Sequence, residues 1–267
     1  MLQESEYFAE SKLFHGLVPA ALGSKLDVLL IGLEKEAADA FWKKTCALCE
    51  NVEDMLNGDN PESEIGRFNA GKMLAHSAVS EELGDAVDLC KEYVYSTSGL
   101  FDPAFGKMNY VDHDEDDGSL SFYGVKLDLG SFSRGYMLKE IRSLLLSSGV
   151  ESAFLNLGNY AFVAVGHHPY GESWKVTLTN PFTRMPIEDV ELKDATLALS
   201  CNAPGSLGRV IDPATGRGNE ERKMTVAIAS DPLDAKVLAT SLMVADSSKT
   251  EDLKESFPDA ELKVYRL

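Results

Sequence analysis

The feature that most constrains the fold is a series of short β-like segments in the second half of the chain. They read SAFLNLG, AFVAVGHH, SWKVTLTN, VELKDATLALS, GRVID and KMTVAIAS, and ELKVYRL closes the sequence. Short apolar or alternating runs bounded by turn residues are typical of strands. Helical patterns stand between groups of these segments rather than between single ones. This order predicts an α+β fold with antiparallel sheets packed against helices, rather than a doubly wound parallel sheet.

The first half supplies most of the predicted helices. Residues before Leu22 read as a polar leader, and LGSKLDVLLIGL (22–33) predicts a strand. VKLDLG (125–130) predicts another strand, with a helix starting near Arg134. Further helices are predicted over 34–56, from a Ser63 cap to Phe68, over 80–95 and over 230–246. No linker is evident, so we expect residues 1–267 to form one domain.

The charge balance restricts the partners. The 267 residues carry a formal net charge of −18, with 25% charged and 44% hydrophobic residues. Such a surface repels nucleic acid and anionic membranes, so an anionic ligand would need local positive groups. The N-terminus has no basic segment followed by an apolar one, and no run approaches a membrane span. We therefore expect a cytoplasmic protein, or an exported, periplasmic one if a leader has been removed.

Residues 130–135, Gly-Ser-Phe-Ser-Arg-Gly, are the first candidate for chemistry. The unpaired N–H groups at a helix N-terminus attract anions, and the guanidinium of Arg134 suits phosphate. The pattern therefore fits a phosphate or diphosphate. A serine-capped helix carrying one arginine is also a common structural arrangement, and that interpretation stays open.

Two further segments carry similar signals. In GRVIDPATGRG (208–218), Arg209 and Arg217 frame a glycine turn, although a simple hairpin would look the same. In SDPLDAKVLATSLMVAD (230–246), Asp231 can cap a helix on which Lys236 and Thr240 lie four residues apart, on one side.

In order and wording these motifs resemble the ApbE family of flavin transferases, which move FMN from FAD onto a threonine of a target protein and release AMP. The resemblance runs through nearly the whole chain. The matching pieces are Leu22-Gly23-Ser24, PESEIGRFN, Ser98-Gly99-Leu100-Phe101-Asp102-Pro103, LDLGSFSRGY, NLGN, IDPATG and LATSL. Membership implies an α+β T-fold, FAD in a cleft formed by these loops, and a magnesium ion beside the diphosphate that is cleaved.

The resemblance also assigns roles to individual residues. It implies that Arg134 and Arg209 hold catalytic positions, that Ser133 and Thr240 hold metal-ligand positions, and that an acceptor protein is the second substrate. The residues at flavin-binding positions are Leu22, Gly23, Ser24, Phe101, Asp102, Gly130, Ser131, Ser133, Arg134, Asn156, Gly158, Ser200, Arg209 and Asp212.

The sequence departs from the family pattern at positions that the resemblance assigns to catalysis and metal binding. Arg134 replaces a lysine, and Arg209 replaces a histidine and cannot act as a general base near neutral pH. Lys236 occupies the position of the metal-binding aspartate, and Asp234 lies on another side of the helix. We predict that the Lys236 ammonium takes the place of magnesium and that FMN transfer is slow. The alternatives are a non-catalytic flavin- or nucleotide-binding homologue and an FAD pyrophosphatase.

Overall fold

A computed structural model describes residues 3–71, 76–122, 124–203 and 210–267. Its helices are α1 (Lys35–Leu56), α2 (Glu64–Asn69), α3 (Glu81–Ser96), α4 (Gly130–Ser147), α5 (Pro232–Ser241) and α6 (Ser247–Ser256). Its strands are β1 (Glu4–Phe8), β2 (Leu13–Ala21), β3 (Ser24–Ile31), β4 (His76–Ala78), β5 (Val111–Asp114), β6 (Ser119–Phe122), β7 (Ala153–Leu157), β8 (Ala161–Val165), β9 (Trp174–Thr179), β10 (Pro186–Leu192), β11 (Thr196–Cys201), β12 (Ile211–Asp212), β13 (Arg217–Gly218), β14 (Lys223–Ala229) and β15 (Glu261–Arg266).

An eight-stranded sheet organises the molecule, in the order β1-β2-β3-β7-β8-β11-β14-β15. Every strand pair within the described ranges is antiparallel, which confirms the predicted α+β class. The main core packs the helices on one face of this sheet. A second apolar cluster joins the other face to the β9–β10 hairpin, where the Phe154 and Trp174 rings stack with centroids 5.1 Å apart.

The N-terminal segment predicted to be a polar leader forms β1 and β2 instead. Phe14, Gly16 and Val18 alternate into the core, as one face of a half-buried strand requires. Gly16 lies directly against Trp42, because a Cβ built at this glycine would be 2.5 Å from the indole ring. The glycine hides the strand pattern, since it contributes no apolar side chain to a position that is nevertheless buried.

The segment before α4 is also not the strand that its alternation predicts. Residues 125–129 form no strand with any described residue, although Val125, Leu127 and Leu129 are buried. The side chain of Asn69 takes the place of a neighbouring strand. Its Nδ2 donates to the Leu127 carbonyl and its Oδ1 accepts from the Leu127 N–H, both at 2.8 Å.

Most other predicted elements are present with shifted ends. The caps at Ser63, Ser80 and Asp231 accept hydrogen bonds from the helices that follow them. The helix predicted over 230–246 ends at Ser241, and a separate helix, α6, follows it. VELKDATLALS contributes to two strands, β10 and β11. Within the described ranges, no helix is both long and apolar enough to cross a lipid bilayer.

Candidate nucleotide-binding cleft

One cleft lies where the N-terminus of α4, strand β11 and helix α5 meet the loop after Gly99 and the turn at 210–213. It is lined by Leu100, Phe101, Asp102, Pro103, Phe105, Asp128, Gly130, Ser131, Arg134, Tyr160, Leu199, Ser200, Cys201, Val210, Ile211, Pro213, Lys236 and Thr240. One part of the wall is cationic and hydroxyl-rich, and another is apolar and aromatic. This combination suits a ligand that carries both phosphate and a flat ring system.

Helix α4 begins earlier than the sequence predicts, at Gly130 rather than near Arg134. No side chain of the capping residue, Leu129, bonds the first turn, but Asp128 Oδ1 accepts from the Gly130 N–H at 3.1 Å. Gly130 and Ser131 therefore form the first turn of the helix at the wall of the cleft. Arg134 lies one turn further along and still reaches the cleft.

Close contact between α4 and α5 brings their polar side chains together. A Cβ built at Gly135 would lie 2.9 Å from Leu233 Cδ1 and 3.0 Å from Lys236 Cβ, so no side chain fits between the helices. The buried Thr225 hydroxyl of β14 donates to the Ala239 carbonyl at 2.6 Å and fixes α5 on the sheet. Helix α5 is thereby held with Lys236 and Thr240 facing the cleft.

Thr240 is the centre of a hydroxyl cluster. Its Oγ1 donates to the Lys236 carbonyl at 2.9 Å. The Ser131 hydroxyl lies 2.5 Å from Thr240 Oγ1 and the Ser200 hydroxyl 3.4 Å from it, and either oxygen of each pair can be the donor. The cluster joins α4, β11 and α5 through side chains that are neutral.

The guanidinium of Arg134 donates hydrogen bonds to two backbone carbonyls. One terminal nitrogen donates to Gly130 O at 2.5 Å and the other to Leu22 O at 3.0 Å. Its buried Nε has no hydrogen-bond partner among the described residues. Burial lowers the pKa of Arg134, while the Asp128 carboxylate opposes that change. Arg134 stays charged, because an arginine does not lose its proton in proteins.

Lys236 is the second cation of the cleft, and only 7% of its surface is exposed. Its Nζ donates to the Leu199 carbonyl at 3.2 Å. Burial, together with the charge of Arg134, lowers the pKa of Lys236 from its ordinary value of 10.5 to about 8. The side chain is therefore mostly an ammonium ion at neutral pH, held where an uncompensated charge is costly.

The carboxylates of Asp102 and Asp128, which line the cleft, both accept hydrogen bonds from nearby backbone N–H groups. Asp102 accepts from Ala104 N at 2.8 Å and from Gly106 N at 2.9 Å, so it shapes the loop that follows it. Asp128 is exposed and bonds the first turn of α4. Asp234, which sequence spacing had already turned away from Thr240, accepts from the Tyr93 hydroxyl at 2.6 Å.

The structure brings together Phe101, Asp102, Gly130, Ser131, Arg134 and Ser200 from the predicted flavin-binding set, with Thr240 and Lys236 beside them. Leu22 touches this group through its carbonyl, while Gly23 and Ser24 continue the same turn. Gly158 packs against Ser24, 3.2 Å from a Cβ built on it. Asn156 bonds Asn159 in the β7–β8 turn and does not line the cleft, and neither do Gly23, Ser24 and Gly158.

Three predicted site residues need separate comment. Ser133 does not line the cleft. Only 2% of its surface is exposed, and its hydroxyl points back to the Gly130 carbonyl at 3.5 Å, because α4 has already begun there. The Asp212 carboxylate bonds Ala214 N and Thr215 Oγ1 within its own turn, while its neighbours Ile211 and Pro213 line the cleft. Arg209 lies outside the described residues.

Sequence reasoning did not assign several lining residues to the ligand site. Pro103, Phe105, Asp128, Ile211 and Pro213 lie within or beside the recognised motifs, and the turns of those motifs carry them to the cleft. Tyr160 and Cys201 also line the cleft. The signal available in the sequence was that these residues lie next to a motif. That signal does not show which of them face the cleft.

The residues present do not fit a magnesium ion. Magnesium prefers carboxylate and phosphate oxygens in octahedral geometry. Here the Thr240 hydroxyl is surrounded by two serine hydroxyls and two cationic side chains. Across the described ranges, no group of three or more His, Cys, Asp or Glu side chains is placed to hold a metal. The diphosphate of a flavin dinucleotide suits these residues better, because the positive side chains of Arg134 and Lys236 both line the cleft.

Fold and cleft together define an α+β protein with a cleft that combines positive and aromatic side chains. The family can be stated directly: the chain belongs to the ApbE family, whose profile matches residues 22–113 and 107–264. This confirms the resemblance seen in the motifs.

Relatives agree with this assignment. The FAD:protein FMN transferase of Salmonella typhimurium is 22% identical over 276 residues, covering 87% of this chain and 79% of that protein. The Klebsiella pneumoniae enzyme of the same name is 28% identical over 135 residues, which span 45% of this chain but only 39% of the relative. The flavin transferase ApbE of Vibrio cholerae superposes with a TM-score of 0.79 at 19% identity, covering 96% of this chain and 97% of that one. At that identity, the structural likeness establishes the fold.

Proposed function

We propose that this protein binds FAD in the cleft and transfers FMN to a threonine of an acceptor protein, with release of AMP, at a reduced rate. The observation that carries the proposal is the convergence of Arg134, Lys236 and Thr240 on one cleft that also has an aromatic wall. Membership of a family whose named relatives are FAD:protein FMN transferases supports it.

The transfer replaces a phosphoanhydride bond of FAD with a phosphoester bond to threonine. The acceptor threonine Oγ forms a bond to the phosphorus of the FMN half, and the bond from that phosphorus to the bridging oxygen breaks. AMP leaves with the bridging oxygen, and the threonine proton passes to solvent. Negative charge builds up on the departing phosphate, where fixed cations stabilise it most effectively.

The residues of this chain explain nucleotide binding better than they would explain a fast transfer reaction. Arg134 and Lys236 can neutralise the diphosphate, and the first turn of α4 offers its N–H groups. The donor set around Thr240 lacks the carboxylates a magnesium ion needs, so Lewis acid assistance at that position is lost. Slow transfer is therefore the expected behaviour of a site that holds its nucleotide well.

The test is incubation of the protein with FAD and a peptide that contains the acceptor threonine. AMP is measured by chromatography, and the peptide is inspected for covalent flavin fluorescence. We expect both products, slowly. AMP without labelled peptide would identify an FAD pyrophosphatase, and bound FAD without either product would identify a non-catalytic homologue. Absence of FAD binding would refute the proposal.

An arginine pair provides the matched variants. Arg134→Met should remove a charge-assisted contact and weaken FAD binding by about tenfold or more. Arg142 lies on the same helix, α4, but does not line the cleft. Arg142→Met should leave FAD affinity unchanged. Equal losses in the two variants would indicate a general effect on the helix rather than contact with the nucleotide.

A further inference from the structure

Two positive side chains line one cleft without a direct ion pair to a carboxylate of the described residues. Among the described residues, neither Arg134 nor Lys236 has a carboxylate oxygen within 4.0 Å, the distance of an ion pair. Several other lysines are paired with a carboxylate, as Lys35 is with Asp39 at 2.5 Å. Burying an ion without a counter-charge is strongly unfavourable. Such a pair of cations is therefore best explained by an anion that binds between them.

A purely structural role does not account for Lys236. Its ammonium has three N–H donors, and the structure gives one partner, the Leu199 carbonyl at 3.2 Å. A neutral side chain could hold that carbonyl without the cost of a buried charge. Lys223 shows the structural alternative, since it is 6% exposed yet paired with Glu221 at 3.2 Å. Lys236 differs because it lines the cleft and faces Arg134 instead of a carboxylate.

The hydroxyl cluster leaves little room for a divalent ion at the same place. Thr240 Oγ1 already contacts the Lys236 carbonyl at 2.9 Å and the Ser131 hydroxyl at 2.5 Å, and the Ser200 hydroxyl lies 3.4 Å away. A magnesium ion bound at Thr240 would compete with these contacts and enter a cleft that two positive side chains already line. Neutral hydroxyls do not supply the carboxylate or phosphate oxygens that magnesium prefers.

We propose that the cleft binds the diphosphate of its flavin nucleotide without a divalent metal, with Lys236 and Arg134 together supplying the positive charge. The inference rests on the proposed function only in taking FAD as the ligand. One ammonium and one guanidinium carry the same total charge as a magnesium ion. They are covalently fixed, so nucleotide affinity becomes insensitive to metal concentration.

The test is calorimetric titration of FAD into the protein, once with excess EDTA and once with magnesium chloride. We expect dissociation constants that agree within about twofold, whereas a metal-bridged diphosphate would lose about tenfold or more in EDTA. Lys236→Met keeps a side chain of similar length without the charge. It should weaken FAD binding by about tenfold under both conditions.

Lys223→Met is the matched control, a second buried lysine away from the cleft, and it should bind FAD as the wild type does. Binding that requires magnesium would overturn this inference and leave the proposed function standing. Unchanged FAD affinity in Lys236→Met would overturn it as well. If the wild type binds FAD under neither condition, the proposed function fails and the inference falls with it. The EDTA comparison uses the wild type alone, so it decides the question even if a variant does not fold.

Discussion

The buried ammonium of Lys236 predicts a measurable pH dependence of stability. The unfolded chain keeps this lysine protonated up to about pH 10.5, whereas the folded protein releases the proton near its lowered pKa of about 8. Between these values the unfolded state binds more protons, so this group makes stability rise with pH. At about 1.4 kcal/mol per pH unit, the full effect is about 3 kcal/mol.

Lys236→Met removes this contribution and so isolates it. Near neutral pH the variant should be more stable than the wild type by up to about 3 kcal/mol, less about 1 kcal/mol for the lost hydrogen bond to Leu199. From about pH 7 to about pH 9.5 the difference should shrink by about 2 kcal/mol, because the wild-type lysine becomes neutral. Urea denaturation of both proteins, without nucleotide, at a series of pH values measures it.

A difference between the two proteins that stays constant over this pH range would refute the reasoning, since the ammonium would then not be desolvated. Arg134→Met gives a second check. Burial is the larger cause of the low pKa and the Arg134 charge the smaller, so this variant should reduce the pH dependence without abolishing it.

Three further outcomes follow from packing and burial. Gly135→Ala places a methyl group 2.9 Å from a side-chain carbon of α5, and should cost about 2 kcal/mol in unfolding free energy and lower FAD affinity by calorimetry. Gly16→Ala places a methyl group 2.5 Å from the Trp42 ring and should lower the melting temperature. FAD affinity should be retained, because Gly16 does not line the cleft. Burial raises the pKa of Cys46 to about 11 and of Cys49 to about 12, so a thiol reagent should label them only after denaturation, and rapid labelling of the folded protein would contradict their burial.

Sequence patterns predicted elements well where local chemistry decides them. The predicted caps at Ser63 and Asp231 are set by side-chain hydrogen bonds within a few residues, and both are present. Patterns failed where burial comes from distant partners. Residues 125–129 alternate like a strand, yet Asn69, far away in the chain, satisfies their backbone. Gly16 lies in a strand whose packing depends on Trp42 of α1.

The sequence predicted which motifs form the candidate site, but not how their side chains are arranged. The motifs placed Arg134, Ser200 and Thr240 at one site through family resemblance, and the structure gathers them at one cleft. Helical spacing alone put Lys236 on the side of Thr240. Spacing could not show that Ser133 turns inward, because that depends on α4 starting at Gly130. Nor could it show that Lys236 is buried without an acidic partner.

The most direct test of the central claim is a crystal structure of the protein with FAD, grown in the presence of EDTA. The account predicts the two phosphorus atoms between the Arg134 guanidinium and the Lys236 ammonium, with Thr240 and the first turn of α4 beside them. A diphosphate bound elsewhere, or FAD held with both cations still facing an empty cleft, would contradict it.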